Sequence, residues 1–443
     1  MARFPARVAL RLGALLVTAV ATVAACAATA GAWSSPTAIY TSAAPQVLAV
    51  AGDPTGHAFA IYEGASLDDP LLLSERAVTD NRSDVMSLEW SAPRPVPGNV
   101  DRFTNSAPEL TAAAAAASGD GAGLIALRQG ASLLSALVRE PGDEFGEPAT
   151  IAGGTVGRID APAVTIADNG AALIAFHASG GRSGSGRVLY DFRAPGGPFT
   201  RLATLATSDG TTPSAAQGDD GWPVIAWTNK SRAYVSRIGD TGLATAPQRI
   251  GPARRGSPIV SAIGHGGDGV VAWIDDEGYL RLVRRSAPGA FSASLPIHRA
   301  KGQHLSDLAA AVDPKGRAFV TWRETRGTAR QIVLAQAPIG GSFKIVTLAK
   351  GADIGRPVAT ARPDGGAAVA WPTPAGWQTV TSTAAKFGTA SKVSGALTGD
   401  DRTGAQASLI AGPGPRVELV WRQLGDVAPD TGPMVFAASD SGS

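Results

Sequence analysis

The chain holds a single cysteine, Cys26, so no disulfide can form within it and the fold must rest on burial and hydrogen-bonded ladders. Charge is scarce too. Charged residues are 17% of the sequence and the net charge is +2, which excludes the one-sided basic footprint of a nucleic-acid binder. There are five histidines, and none stands in a metal-ligand spacing such as H-x-x-x-H. The sequence lacks a G-x-S-x-G elbow, a Walker A loop and a Rossmann glycine set between a strand and a helix. Beyond its N-terminal segment it also lacks an apolar run of the about 20 residues that span a bilayer. A helix-forming composition is missing as well. The 54 glycines and 31 prolines would each cost roughly 1 to 3 kcal/mol inside a helix. Many short strands joined by turns tolerate that density.

What is present begins with an export signal over residues 1–30. Arg3, Arg7 and Arg11 make a positive start, and the run from Leu12 to Val23 is apolar but only about a dozen residues long. Val23-Ala24-Ala25-Cys26 resembles the lipobox of bacterial lipoproteins, which implies lipidation of Cys26. The other reading is ordinary cleavage after Ala30 or Ala32. Either way the address is extracytoplasmic, secreted or anchored to the outer face of the cell membrane, with membrane contact only through such a lipid.

A repeat fills the rest. Gly221 and Trp227, Gly267 and Trp273, Gly316 and Trp322, and Gly365 and Trp371 each stand six residues apart, with a Val/Ile/Ala stretch between. The same register carries Tyr62, Leu127, Phe176 and Trp421 in the aromatic column. The spacings between successive anchors are 65, 49, 51, 46, 49, 49 and 50. A period near 49 matches four-stranded propeller blades. The fold class expected is therefore all-β: residues 31–443 form a single β-propeller of about eight four-stranded blades. The one long spacing is assigned to an insertion over Ala65 to Asp84. The innermost strand of each blade is small-residue-rich, and a turn glycine follows it. Phe145, Phe199, Phe291, Phe343 and Phe387 open the outermost strands. The aromatic column is read as packing rather than as a sugar-stacking platform, because Tyr, Phe and Leu also occupy it. The last repeat stops before its fourth strand, and residues 33 to 42 are expected to supply it.

The chemistry is harder to place. His57 and His265 lie in or beside the turns between the first and second strands. Asp143-Glu144, Asp219-Asp220, Asp275-Asp276-Glu277 and Asp400-Asp401 read as solvated turns, and no spacing asks for calcium. No metal and no cofactor is expected. The connections into each first strand, at a channel mouth, offer Asn105, Arg158, Asp160, Thr212, Arg255, His304, Asp307, Arg356 and Arg402. Guanidinium groups converging there would bind carboxylates or phosphates. Arg158, Asp160, Arg255, His304, Asp307, Arg356 and Arg402 are the candidate ligand-binding set.

The strand order and the repeat ending in Trp resemble exported propellers of the sialidase-like kind, across the whole mature chain. The resemblance implies the fold and not the activity. The S-x-D-x-G-x-x-W box of that family is not met in any turn, and the WD40 signature is absent too. The expectation leans away from an enzyme. It is a binding or scaffold propeller of the cell envelope, monomeric, with an unknown extracellular ligand, protein or glycan. The alternative is a glycan-acting hydrolase or lyase with its site at the channel mouth.

Overall fold

The computed structural model describes residues 33–41, 47–62, 70–79, 87–98, 110–180, 186–199, 201–207, 212–219, 221–287, 289–299, 302–383, 386–395, 397, 407–412, 416–423 and 434–439. No helix occurs among them, and so none long and apolar enough to cross a membrane. The strands form eight antiparallel sheets of four principal strands, three of them gaining a short extra segment. The innermost strands, a, are Val47–Gly52, Leu110–Ala117, Ala163–Ile166, Ser214–Ala216, Ile259–Ile263, His304–Val312, Val358–Ala361 and Ala407–Ala411. Each lies against the next, and the last returns to the first. The chain is a single β-propeller. Its blades are numbered 1 to 8 by these inner strands, and the strands of a blade run a to d outward.

Every seam between blades is an apolar cluster to which the aromatic column contributes. Trp227 packs with Leu173, Tyr190 and Phe192 of blade 3, Trp273 with Val224 and Ile250 of blade 4, and Trp322 with Val270 and Leu282 of blade 5. Trp371 meets Phe319 and Leu334 of blade 6, and Trp421 meets Trp377 of blade 7. All five rings are at most 2% exposed. They are packing residues, as expected, and each contributes roughly 2–3 kcal/mol by burial. Small residues elsewhere in these strands let neighbouring sheets approach. A Cβ on Gly52 would meet Ile410 of blade 8 at 2.8 Å.

The a–b turns of blades 1 to 7 share one geometry. The amide of the turn glycine donates to the carbonyl three residues earlier, as from Gly170 to Ala167 and from Gly221 to Gly218. These glycines have φ of 79° and 70°, a region that excludes most side chains. In four blades a buried arginine of strand c grips its own turn. Arg76, Arg139, Arg193 and Arg285 donate to the carbonyls of Gly56, Gly121, Gly170 and Gly267 at 2.7–3.0 Å. Three of them also pair with a carboxylate of the preceding blade. Arg139 meets Glu75 at 2.7 Å, Arg193 meets Glu140, and Arg76 meets Glu418. The seam device and the mouth of the channel are thus one construction.

The ring closes as expected. Thr37–Thr41 pairs antiparallel with Met434–Ser439, in the sheet of Val417–Gln423 and Ala407–Ala411. Trp33 packs on the cluster of Trp377, Leu409 and Trp421. The insertion assigned to residues 65–84 needs correction. Leu72–Thr79 within it is strand c of blade 1, paired with Ala58–Tyr62. Its Leu73, Ser74 and Arg76 are buried, which no polar insertion would allow. The opening aromatics also sit slightly ahead of strand d. Phe199 and Phe291 form isolated bridges to Arg193 and Arg285, and the strands begin at Ala203 and Leu295.

Glu324 shows how a carboxylate is held inside a seam. It accepts hydrogen bonds from Trp322 Nε1 at 2.8 Å and from Gln331, and His298 Nε2 lies 2.6 Å from its Oε1. Burial pushes its carboxyl up, but His298, Trp322 and Gln331 together outweigh burial and hold it below the ordinary glutamate value of 4.5. A lowered folded value adds stability above the unfolded value and loses it as pH falls through the folded one. Melting followed from pH 7 into acid should therefore fall below about pH 4.5, and Glu324→Gln should flatten that fall.

Candidate functional site

The structure places the candidate residues of the d–a connections at local seams. Arg158–Ile159 pairs with Ala178 and Ser179. Next to it, His177 Nδ1 donates to Asp160 Oδ2 at 2.8 Å. Arg128 lies close enough to both that burial and Arg158 lower its pKa while Asp160 raises it. Arg255 is exposed in the turn Arg254 to Ser257. His304 meets Arg254 rather than Arg255, at 3.5 Å. Asp307, at φ 53° in a bulge of its strand, pairs with Arg323 at 2.7 Å and with Arg356 of the next blade at 3.4 Å. Arg402 and Cys26 lie outside the described residues, as do residues 1–30 and Asn105. At that end a cavity of about 430 Å³ runs along the inner strands of blades 2 to 5. Ala114, Ala163, Val164, Ser214, Ala215 and Ile259 line it, and none of the candidate charged residues does.

The opposite mouth is different. A cavity of about 210 Å³ lies there, touched by the ends of the inner strands of all eight blades. Asp168, Asp219 and His265 stand on its rim, in the a–b turns of blades 3, 4 and 5. One donor atom from each lies within 4.8 Å of the others. His265 Nδ1 donates to Asp219 Oδ2 at 2.7 Å, and the Gly119 amide donates to Asp168 Oδ1 at 2.6 Å. Burial pushes the Asp168 carboxyl above its ordinary value. The Gly119 amide opposes this, Asp219 and Asp120 add to it, and His265 works against it. Across the rim, Arg362 is paired with Asp364 at 3.0 Å. The set can hold a small polar group or a cation, and the Asp219 and His265 side chains are about 40% exposed, open to a ligand.

Sequence reasoning passed over these three because each looks like turn punctuation by itself. Their signal is columnar. Counting back two from the turn glycine gives Pro54, Pro314 and Pro363 in blades 1, 6 and 7, the residue that suits the second place of such a turn. The same column gives Asp168, Asp219 and His265 in three consecutive blades. A raised folded pKa in an acid costs stability above the unfolded value, and the cost is relieved by protonation. Asp168→Asn should accordingly keep or raise the melting temperature at pH 7. A fall of more than about 2 °C, measured by calorimetry, would contradict this.

No protein-family profile matches the chain, and no curated protein matches it by sequence. Among solved structures it is similar to the BP39L lectin from Burkholderia pseudomallei, with 14% identity and a TM-score of 0.52 over 81% of this chain and 100% of that one. The Dos1 propeller gives 11% identity and 0.47 over 93% and 95%. Polysaccharide lyase Uly1 gives 10% and 0.41 over 72% and 88%. The likeness to the lectin shows the fold alone, and the other two add no further argument.

Proposed function

We propose that this chain is an exported, non-catalytic binding propeller of the cell envelope, which takes a small polar group of an extracellular glycan at the a–b mouth. The observation that carries the reading is the convergence of Asp168, Asp219 and His265 on a cavity reached by every inner strand. At about 210 Å³ that cavity is smaller than the roughly 300–1,000 Å³ pockets of drug-sized ligands, which suits one sugar residue or chain end. Polar side chains on turns fixed by a rigid ring are a common way to present such a site. The export signal over residues 1–30 and Cys26 supply the address. Loss of labelled fatty acid from Cys26→Ala would support lipidation, and its retention would refute it.

The second reading is the glycan-acting hydrolase or lyase. It is favoured by one observation, a carboxyl with a raised pKa, Asp168, beside a second carboxylate. One oxygen from each carboxylate lies within 4.8 Å of the other, closer to the about 5–5.5 Å of retaining pairs than to the about 6.5–9.5 Å of inverting ones. The test is a panel of purified envelope and capsular polysaccharides, read for binding by calorimetry and for cleavage by mass spectrometry. Binding without products is expected. New reducing ends or unsaturated products would move the protein to the enzyme reading.

A further inference from the structure

The geometry points to a divalent-cation site at the a–b mouth, made by Asp168, Asp219 and His265 and suited to a first-row ion of the zinc class. The inference rests on the binding reading for its place in the molecule and adds the chemistry of the contact. The three donors come from three successive blades rather than from one acidic loop, so the ring itself brings them together. One of them is an imidazole, which suits zinc, cobalt or nickel; calcium would ask for six to eight oxygens. A tetrahedral ion with bonds of about 2.0–2.2 Å sets its donors roughly 3.3–3.6 Å apart. Binding would open the 2.7 Å contact between His265 and Asp219 and draw the wider pairs in from within 4.8 Å, a change that the exposure of both side chains allows.

Further observations bear on the same spot. The Gly119 amide holds Asp168 Oδ1 at 2.6 Å and so orients that carboxylate, as an outer hydrogen bond does for a ligand. Gln217 lines the same cavity, and its Oε1, shielded from water, has no hydrogen-bond partner among the described residues. The cavity leaves an open position, where an ion bound by three protein donors would meet a hydroxyl or carboxylate of the ligand. Two carboxylates would balance a doubly charged ion.

The experiment is titration of the full chain with Co²⁺, read by its visible absorption, with Zn²⁺ as competitor. One equivalent is expected, displaced by Zn²⁺ and weakening in acid as the donors take up protons. Asp219→Asn and His265→Gln should each weaken it about tenfold or more, while His57→Gln, in the turn of blade 1, leaves it unchanged. Melting curves check that the variants fold. No saturable uptake up to about 1 mM Co²⁺, or uptake unaltered in both site variants, would overturn the site. Polysaccharide binding that survives EDTA in a chain that takes up no cobalt would refute the cation and leave the binding reading standing.

Discussion

Deletion of residues 31–44 is expected to lower the stability of the whole ring by roughly 5 kcal/mol, counted from burial and ladder bonds. The segment supplies the outermost strand of blade 8, so its loss exposes Met434–Ser439 as an open edge. Trp33 leaves the cluster of Trp377, Leu409 and Trp421, and Ile39 leaves the seam of Tyr62 and Val420. Partial burial of those two side chains contributes roughly 2–4 kcal/mol, and each ladder hydrogen bond about 1 kcal/mol. Since every blade depends on two neighbours, the damage should spread around the ring. Denaturant unfolding of the truncated chain should show an earlier and broader transition. A transition as late and as steep as that of the full chain would mean that the strand does not close the ring.

Glu418→Ala should cost about 3–5 kcal/mol by leaving a buried guanidinium without its carboxylate. Arg76, in strand c of blade 1, and Glu418, in strand b of blade 8, are 1% and 5% exposed and form an ion pair across the seam that joins the first blade to the last. Trp90 Nε1 also donates to Glu418 at 3.0 Å. Burial pulls the Arg76 pKa down to about 10, with Asp53 opposing, so this charge is already held at a cost. A base with a lowered folded pKa penalises the folded state below that value, and removal of its partner adds to the penalty. The double variant Arg76→Leu, Glu418→Leu should be less damaged than Glu418→Ala, because no lone charge stays inside. Chemical denaturation of the three proteins measures this. A double variant at least as unstable as Glu418→Ala would show that the hydrogen bonds to Gly56 and Trp90 matter more than the charge.

The fold was legible because its cause repeats. A turn glycine and an aromatic anchor six residues later recur where each blade must turn and then fill a seam, so Trp227, Trp273, Trp322, Trp371 and Trp421 announce both the strands and their packing. Closure was legible because the last repeat shows three strands and a spare one follows Trp33 near the other end of the sequence. Blade 1 is harder to read because a long spacing and the polar, acidic residues around Leu72–Thr79 look like an insertion and hide its strand c. The buried arginines could not be seen. Arg76 and Arg139 look like strand-end surface residues until the ring brings Glu418 and Glu75 to them from other blades.

The site was partly legible for a related reason. Charged residues before strand a are visible in sequence, but pairing consumes them locally: Asp307 takes Arg323 and Arg356, and His304 takes Arg254. At the other mouth, Asp168, Asp219 and His265 are distant in sequence and each is ordinary for a turn. Only the ring's curvature puts them side by side.

The most direct test of the account compares the two mouths. The polysaccharide selected by the panel would be titrated calorimetrically into the full chain, into Asp219→Asn and His265→Gln, and into Arg356→Gln at the opposite end. The account predicts about a tenfold or greater loss of affinity in the first two variants and none in the third. Loss confined to Arg356→Gln, with the a–b variants binding normally, would contradict it.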